Sequence, residues 1–155
     1  MNQDYAALAE NNRQKALRAI DLVAASLSEY RPYDPGIAYT PKALEPYDAL
    51  ADRFVRAVEC ALRYFRSHEL VEFAEQSDTT RSLLNRMEKI GLVRDAELWL
   101  AMRNTRNRIV HDYLPEQIAQ MFETISGEHG NELLRLHTSL GRNTDAVQNF
   151  TSNRT

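Results

Sequence analysis

The segment from Arg103 to His111 concentrates three arginines and a histidine in nine residues, in a chain that has only four histidines. Those types match what RNA cleavage needs when no metal takes part. A base must take the proton from a ribose 2′-hydroxyl, and a cation must stabilise the phosphorane oxygens as charge develops on them. His111 suits the first task because imidazole titrates near neutrality. Arg106 suits the second because a guanidinium stays protonated and bonds two non-bridging oxygens at once. Such a reaction leaves a 2′,3′-cyclic phosphate and a 5′-hydroxyl. The same residues also have plainer uses: His111 capping a helix end, Arg106 paired with a surface carboxylate, Tyr113 packed against its neighbours.

Spacing constrains how the two groups act. On a straight helix, positions 103, 106 and 107 share a face, as do 107 and 111, whereas Arg106 and His111 diverge by about 140°. Either the helix end distorts, or the two groups approach from different directions. Arg103 and Arg108 are candidates for flanking phosphates or for a solvated flank. Asp112 is adjacent to His111 and points away from it on a helix.

Other polar residues form no comparable cluster. His68, His129 and His137 lack metal-ligand spacing, and nothing in the chain calls for a cofactor or a metal. Tyr30, Tyr33, Tyr39 and Tyr47 could stack on bases or pack the loop onto the fold. Glu69, Glu72 and Glu75 read as a solvated acidic face, and Cys60 as core.

These side chains must be carried by helices. Leu8, Leu17, Ile20, Val23, Ala24 and Leu27 recur at helical spacing between Tyr5 and Leu27, with Glu10, Arg13, Arg18 and Asp21 on the wet side. Prolines 32, 35 and 41 with Gly36 make Glu29 to Lys42 a long loop. A second long helix is predicted from about Ala43 to Glu75. Ser77 or Asp78 caps a short third helix stopped by Gly91. Asp95 caps a fourth, which carries the basic segment until Pro115 forces Leu114 out of helical geometry. A fifth starts at Pro115, breaks near Gly127 to Gly130 and resumes at Leu133 to Leu140. No strand alternation or internal repeat occurs, so the expected fold is an all-α bundle of four to five main helices. The expected organisation is one helical domain at 1–140 and a polar tail at 141–155.

Composition sets the frame. Hydrophobic residues make up 43% and charged residues 26% of 155, a globular profile. The net charge of −3 excludes a global basic field, so an anion site must be local; 16 of the 19 basic residues are arginine. A single cysteine excludes an internal disulfide or a thiolate zinc cluster. The start of the chain lacks the pattern of a signal peptide, and no apolar run reaches membrane-spanning length, so a soluble, cytoplasmic protein is expected.

The eight residues Arg106-Asn107-Arg108-Ile109-Val110-His111-Asp112-Tyr113 closely resemble the Arg-x4-His-x-Tyr signature of HEPN domains, in particular the HepT toxin branch paired with MNT nucleotidyltransferase antitoxins (type VII toxin–antitoxin systems). The helix leading in, the helix leaving, and the long helix that begins near Tyr47-Asp48-Ala49-Leu50 are similar too, so the resemblance covers roughly residues 5 to 140. It implies a ribonuclease with Arg106 and His111 as the catalytic pair, Asn107 as the polar residue that follows the arginine, and RNA as substrate. It implies a homodimer whose two motifs face one another. It also implies that Tyr113 is the tyrosine to which the partner nucleotidyltransferase transfers AMP. Another class stays open: a subunit that binds substrate for a nucleotidyltransferase without cleaving it.

Overall fold

The computed structural model describes residues 2–111 and 114–152, and the side chains of 3–105, 107–108 and 114–142. All regular structure among them is helical: α1 (Asn2–Ser28), α2 (Pro41–Phe73), α3 (Thr80–Lys89), α4 (Ala96–His111), α5 (Pro115–Thr124) and α6 (Gly130–Ser152), with a kinked π-turn at Ile125–His129 between the last two, where Gly127 (φ −100°, ψ −113°) leaves helical geometry at the break expected there. The all-α expectation holds.

Helices α1 and α2 form an antiparallel hairpin, fixed near one end by Asn12 Nδ2 donating to Ser67 Oγ at 3.1 Å and near the other by Arg53 Nη1 donating to Ser26 Oγ at 2.8 Å. The apolar spacing of α2 does what it should: Leu50, Phe54, Val58, Ala61 and Phe65 are buried along one face. Against them pack Ile20 and Val23 of α1, Leu83, Leu84 and Met87 of α3, Trp99 and Met102 of α4, and Leu133 and Leu136 of α6. Burying such side chains is the main favourable term, at about 25 cal/mol for each Å² of apolar surface removed from water.

The helix ends follow local chemistry. α2 starts two residues before the expected Ala43, because Thr40 caps it by accepting from Ala43 N and Pro41 occupies the first turn, where a missing N–H costs nothing. α3 is capped by Thr79, whose Oγ1 accepts from Ser82 N at 3.1 Å, and not by Ser77 or Asp78. Ser77 is otherwise engaged: its N–H and hydroxyl both donate to Glu69. Gly91, with φ at +82°, ends α3 as expected. Asp95 caps α4 by accepting from Glu97 N at 3.0 Å. Leu114 is extended ahead of Pro115, which opens α5.

Several polar residues assigned to solvent lie inside. Arg13 is 7% exposed; it pairs with Glu10 and donates to the Leu140 carbonyl at 3.0 Å, tying α1 to α6. The Arg13 guanidinium holds the Glu10 carboxyl down to about 2. Glu69 is 1% exposed, satisfied by Ser77 and by Arg86 at 3.2 Å. Conversely, Leu8 is exposed. The loop tyrosines pack down: Tyr33 and Tyr39 stack at 4.8 Å, and Tyr33 and Tyr47 both reach Phe122 of α5. Beyond Gly141, where a polar tail was expected, the backbone stays helical to Ser152.

α2 ends on Ala74 in the left-handed region, with φ at 52°, its N–H bonded to the Leu70 carbonyl. A side chain there is strained by about 1 kcal/mol. Ala74→Gly is therefore expected to raise unfolding free energy by about that amount, read as a higher urea midpoint at unchanged slope.

Candidate functional site

Helix α4 has two faces. Trp99, Met102 and Thr105 are buried, while Arg103, Asn107 and Arg108 are exposed. Three of the expected site residues thus share the solvent side of one helix. The side chains of Arg106 and His111 and the whole of Tyr113 lie outside the described residues, so the contacts expected of them are not seen. The backbone is α-helical through residue 111.

The buried face of α4 is held by polar bonds that the sequence did not signal. Glu132 of α6 is 2% exposed. It accepts from Trp99 Nε1 at 3.0 Å and from Arg94 N at 3.3 Å, and forms an ion pair with Arg135 at 2.6 Å. Arg135 in turn donates to the Leu92 carbonyl at 2.9 Å. Burial alone would raise the Glu132 carboxyl, but the bonds from Arg135 and Trp99 outweigh it and leave it below its ordinary range. This network clamps the first turns of α4 to α6.

The second half of α4 is held by a histidine. His129, in the π-turn, is 4% exposed and lies parallel to the Phe54 ring at 5.9 Å. Its Nδ1 is 3.4 Å from Thr105 Oγ1. The Thr105 hydroxyl already donates to the Ala101 carbonyl at 3.0 Å, so Oγ1 is left to accept and His129 carries its proton on Nδ1. The residue before Arg106 is thereby tied to the π-turn. Burial depresses the His129 pKa, the nearby Glu128 opposes that, and the Arg108 charge adds to it. Gly130 makes the approach possible: a Cβ there would meet the Ile125 carbonyl oxygen at 2.5 Å and Leu27 Cδ1 at 3.0 Å.

The remaining histidines have local roles. His68 packs against Tyr64, and burial depresses it as well, with Glu72 opposing. His137 is 2.7 Å from Asp21. Among the described residues no group of three or more His, Cys, Asp or Glu could hold a metal ion, and no helix is long and apolar enough to cross a membrane.

A family model, that of the nucleotidyltransferase substrate-binding-protein-like proteins, matches residues 12–142. The chain belongs to that family. It is a HEPN-like family, consistent with the resemblance carried by the 106–113 motif. The match runs from α1 into α6, so it takes in every element that braces α4. No curated protein and no solved structure matches the chain.

The buried His129 has a pH consequence. Its folded-state pKa lies below the ordinary 6.5. The unfolded chain therefore takes up the proton first as pH falls, and the stability present above pH 6.5 is lost progressively below it. The urea midpoint is expected to drop between pH 7 and pH 5. In His129→Asn, paired with His68→Asn to remove the second depressed histidine, that slope should flatten.

Proposed function

We propose that this protein is the ribonuclease toxin of a two-component system whose other component is a nucleotidyltransferase. The observation that carries the reading is the Arg106…His111…Tyr113 motif of the sequence, which begins on a helix whose solvent side bears Arg103, Asn107 and Arg108, within a chain of the nucleotidyltransferase substrate-binding-protein-like family.

His111 takes the proton from a ribose 2′-hydroxyl. The 2′-oxygen then attacks the adjacent phosphorus and the bond to the 5′-oxygen breaks; that oxygen takes a proton from water, leaving a cyclic phosphate and a 5′-hydroxyl, and the His111 imidazolium gives its proton back to solvent. Arg106 holds the non-bridging oxygens as their charge grows. Arg103, Asn107 and Arg108 hold the flanking backbone. Two copies of the motif facing one another bring Arg106 and His111 to one phosphate from opposite sides, which favours a homodimer with one shared cleft. The partner enzyme transfers AMP from ATP to the Tyr113 hydroxyl and releases pyrophosphate. The bulky anion then fills and repels the phosphate path.

Purified protein in excess chelator is expected to cut single-stranded RNA and leave cyclic-phosphate ends. His111→Ala and Arg106→Ala should each slow cleavage by at least about a hundredfold. RNA that stays intact with wild type overturns the nuclease reading. The family description favours a second reading, in which the same basic face holds a substrate for the nucleotidyltransferase without cutting it. RNA bound but uncut, with affinity lost in Arg106→Ala, would establish that one instead.

Co-expression with the partner enzyme is expected to add one AMP mass to wild type and none to Tyr113→Phe, measured on the intact protein. Neutralised toxicity without an adduct would mean inhibition by binding alone.

A further inference from the structure

The last turn of α1, the proline loop and the first turns of α2 enclose a hollow of about 1220 Å³ that the packing leaves open. Small side chains make the space: Ala25, Ala43 and Ala49 line it where larger residues would fill it. Tyr30 and Tyr39, half-buried and edge-on to the buried Tyr47, supply aromatic surface, Tyr39 having one face already stacked on Tyr33, and two of the three hydroxyls are bonded. The Tyr47 hydroxyl donates to the Arg31 carbonyl at 2.9 Å, and the Tyr39 hydroxyl accepts from Asp34 N at 2.9 Å.

Two guanidinium groups stand at its rim. Arg53 uses Nη1 on the Leu22 carbonyl at 3.3 Å and on Ser26 Oγ at 2.8 Å, which fixes the group and leaves Nε and Nη2 for a ligand. Arg31 is exposed and has no ion pair among the described residues.

The carbonyl end of a helix ordinarily repels anions. Here its last carbonyls are engaged: the N–H groups of Glu29 and Tyr30 take those of Ser26 and Leu27, and the Ser28 hydroxyl takes that of Ala25. The facing end of α2 is its N-terminus, which attracts negative charge. Of the two acids at the rim, Glu45 is paired with Lys42 at 3.1 Å, leaving Glu29 to accept from an amino group.

Tyrosine rings and two arginines lining one hollow match a ligand that joins a flat ring to a phosphate. We propose that this hollow binds a nucleotide, its base against Tyr30 and Tyr39 and its phosphate on Arg31 and Arg53. The nucleotide is either free or one unit of an RNA strand. The proposal is independent of whether the 106–113 motif cuts RNA.

The test is calorimetric titration of the His111→Ala chain, which leaves RNA intact, with AMP and separately with a five-residue oligoadenylate. Saturable binding of at least one is expected. It should weaken about tenfold or more in Arg31→Ala, which removes the guanidinium and keeps the backbone carbonyl that Tyr47 uses, and be lost in Ala49→Phe, which fills the space. AMP binding identifies a free-nucleotide site; binding of the oligomer alone identifies an RNA subsite. Absence of binding by both ligands, or affinities unchanged in both variants, overturns the proposal. Wild-type protein that binds AMP in the hollow yet leaves RNA intact retains this site and loses only the nuclease reading.

Discussion

The buried carboxylate of Glu132 is the interaction on which the rest of the motif-bearing end depends. One side chain accepts from the indole of α4, from the backbone ahead of α4 and from the guanidinium of its own helix. A carboxylate enters a protein interior only when its lone pairs are matched, and removing one partner of such a group typically costs about 3–5 kcal/mol. Here the matching groups come from three places, so α4 has one allowed height and rotation against α6. A basic helix with no such anchor would be free to slide, and the exposed arginines would have no fixed spacing to offer a polyanion.

The two clamps on α4 differ in kind. Trp99–Glu132 is charge-assisted and deep, whereas Thr105–His129 is a longer contact between neutral groups. The start of α4 is thus held by a charged bond and its second half by a weaker one.

The helices were legible because apolar spacing reports directly on which face is buried, and the caps at Asp95 and Pro115 rest on chemistry within one turn. What escaped was polar burial. Arg13, Glu69, Glu132 and His129 are residue types that default to solvent, and most of their partners are far away in sequence: Leu140 for Arg13, Trp99 for Glu132, Thr105 for His129. No local pattern encodes those pairings. The cap of α3 was misplaced for a related reason: Ser77 is a good cap by type, but Glu69 from the preceding helix claims it first. The 106–113 motif is read from residue types alone, while His129, which meets Thr105 on the helix that carries Arg106, reads as ordinary in the sequence because its partner lies 24 residues away.

The break at Gly127 also sets where a histidine can stand. The buried stripe of α5 and α6 runs Met121, Ile125, His129, Leu133, Leu136, Leu140. It is carried on two helices that meet at a kink, because Gly127 leaves helical geometry at φ −100° and ψ −113°. A straight helix would carry that stripe along one line; the kink lets α5 and α6 face different neighbours and leaves His129, just past the bend, against Thr105 of α4.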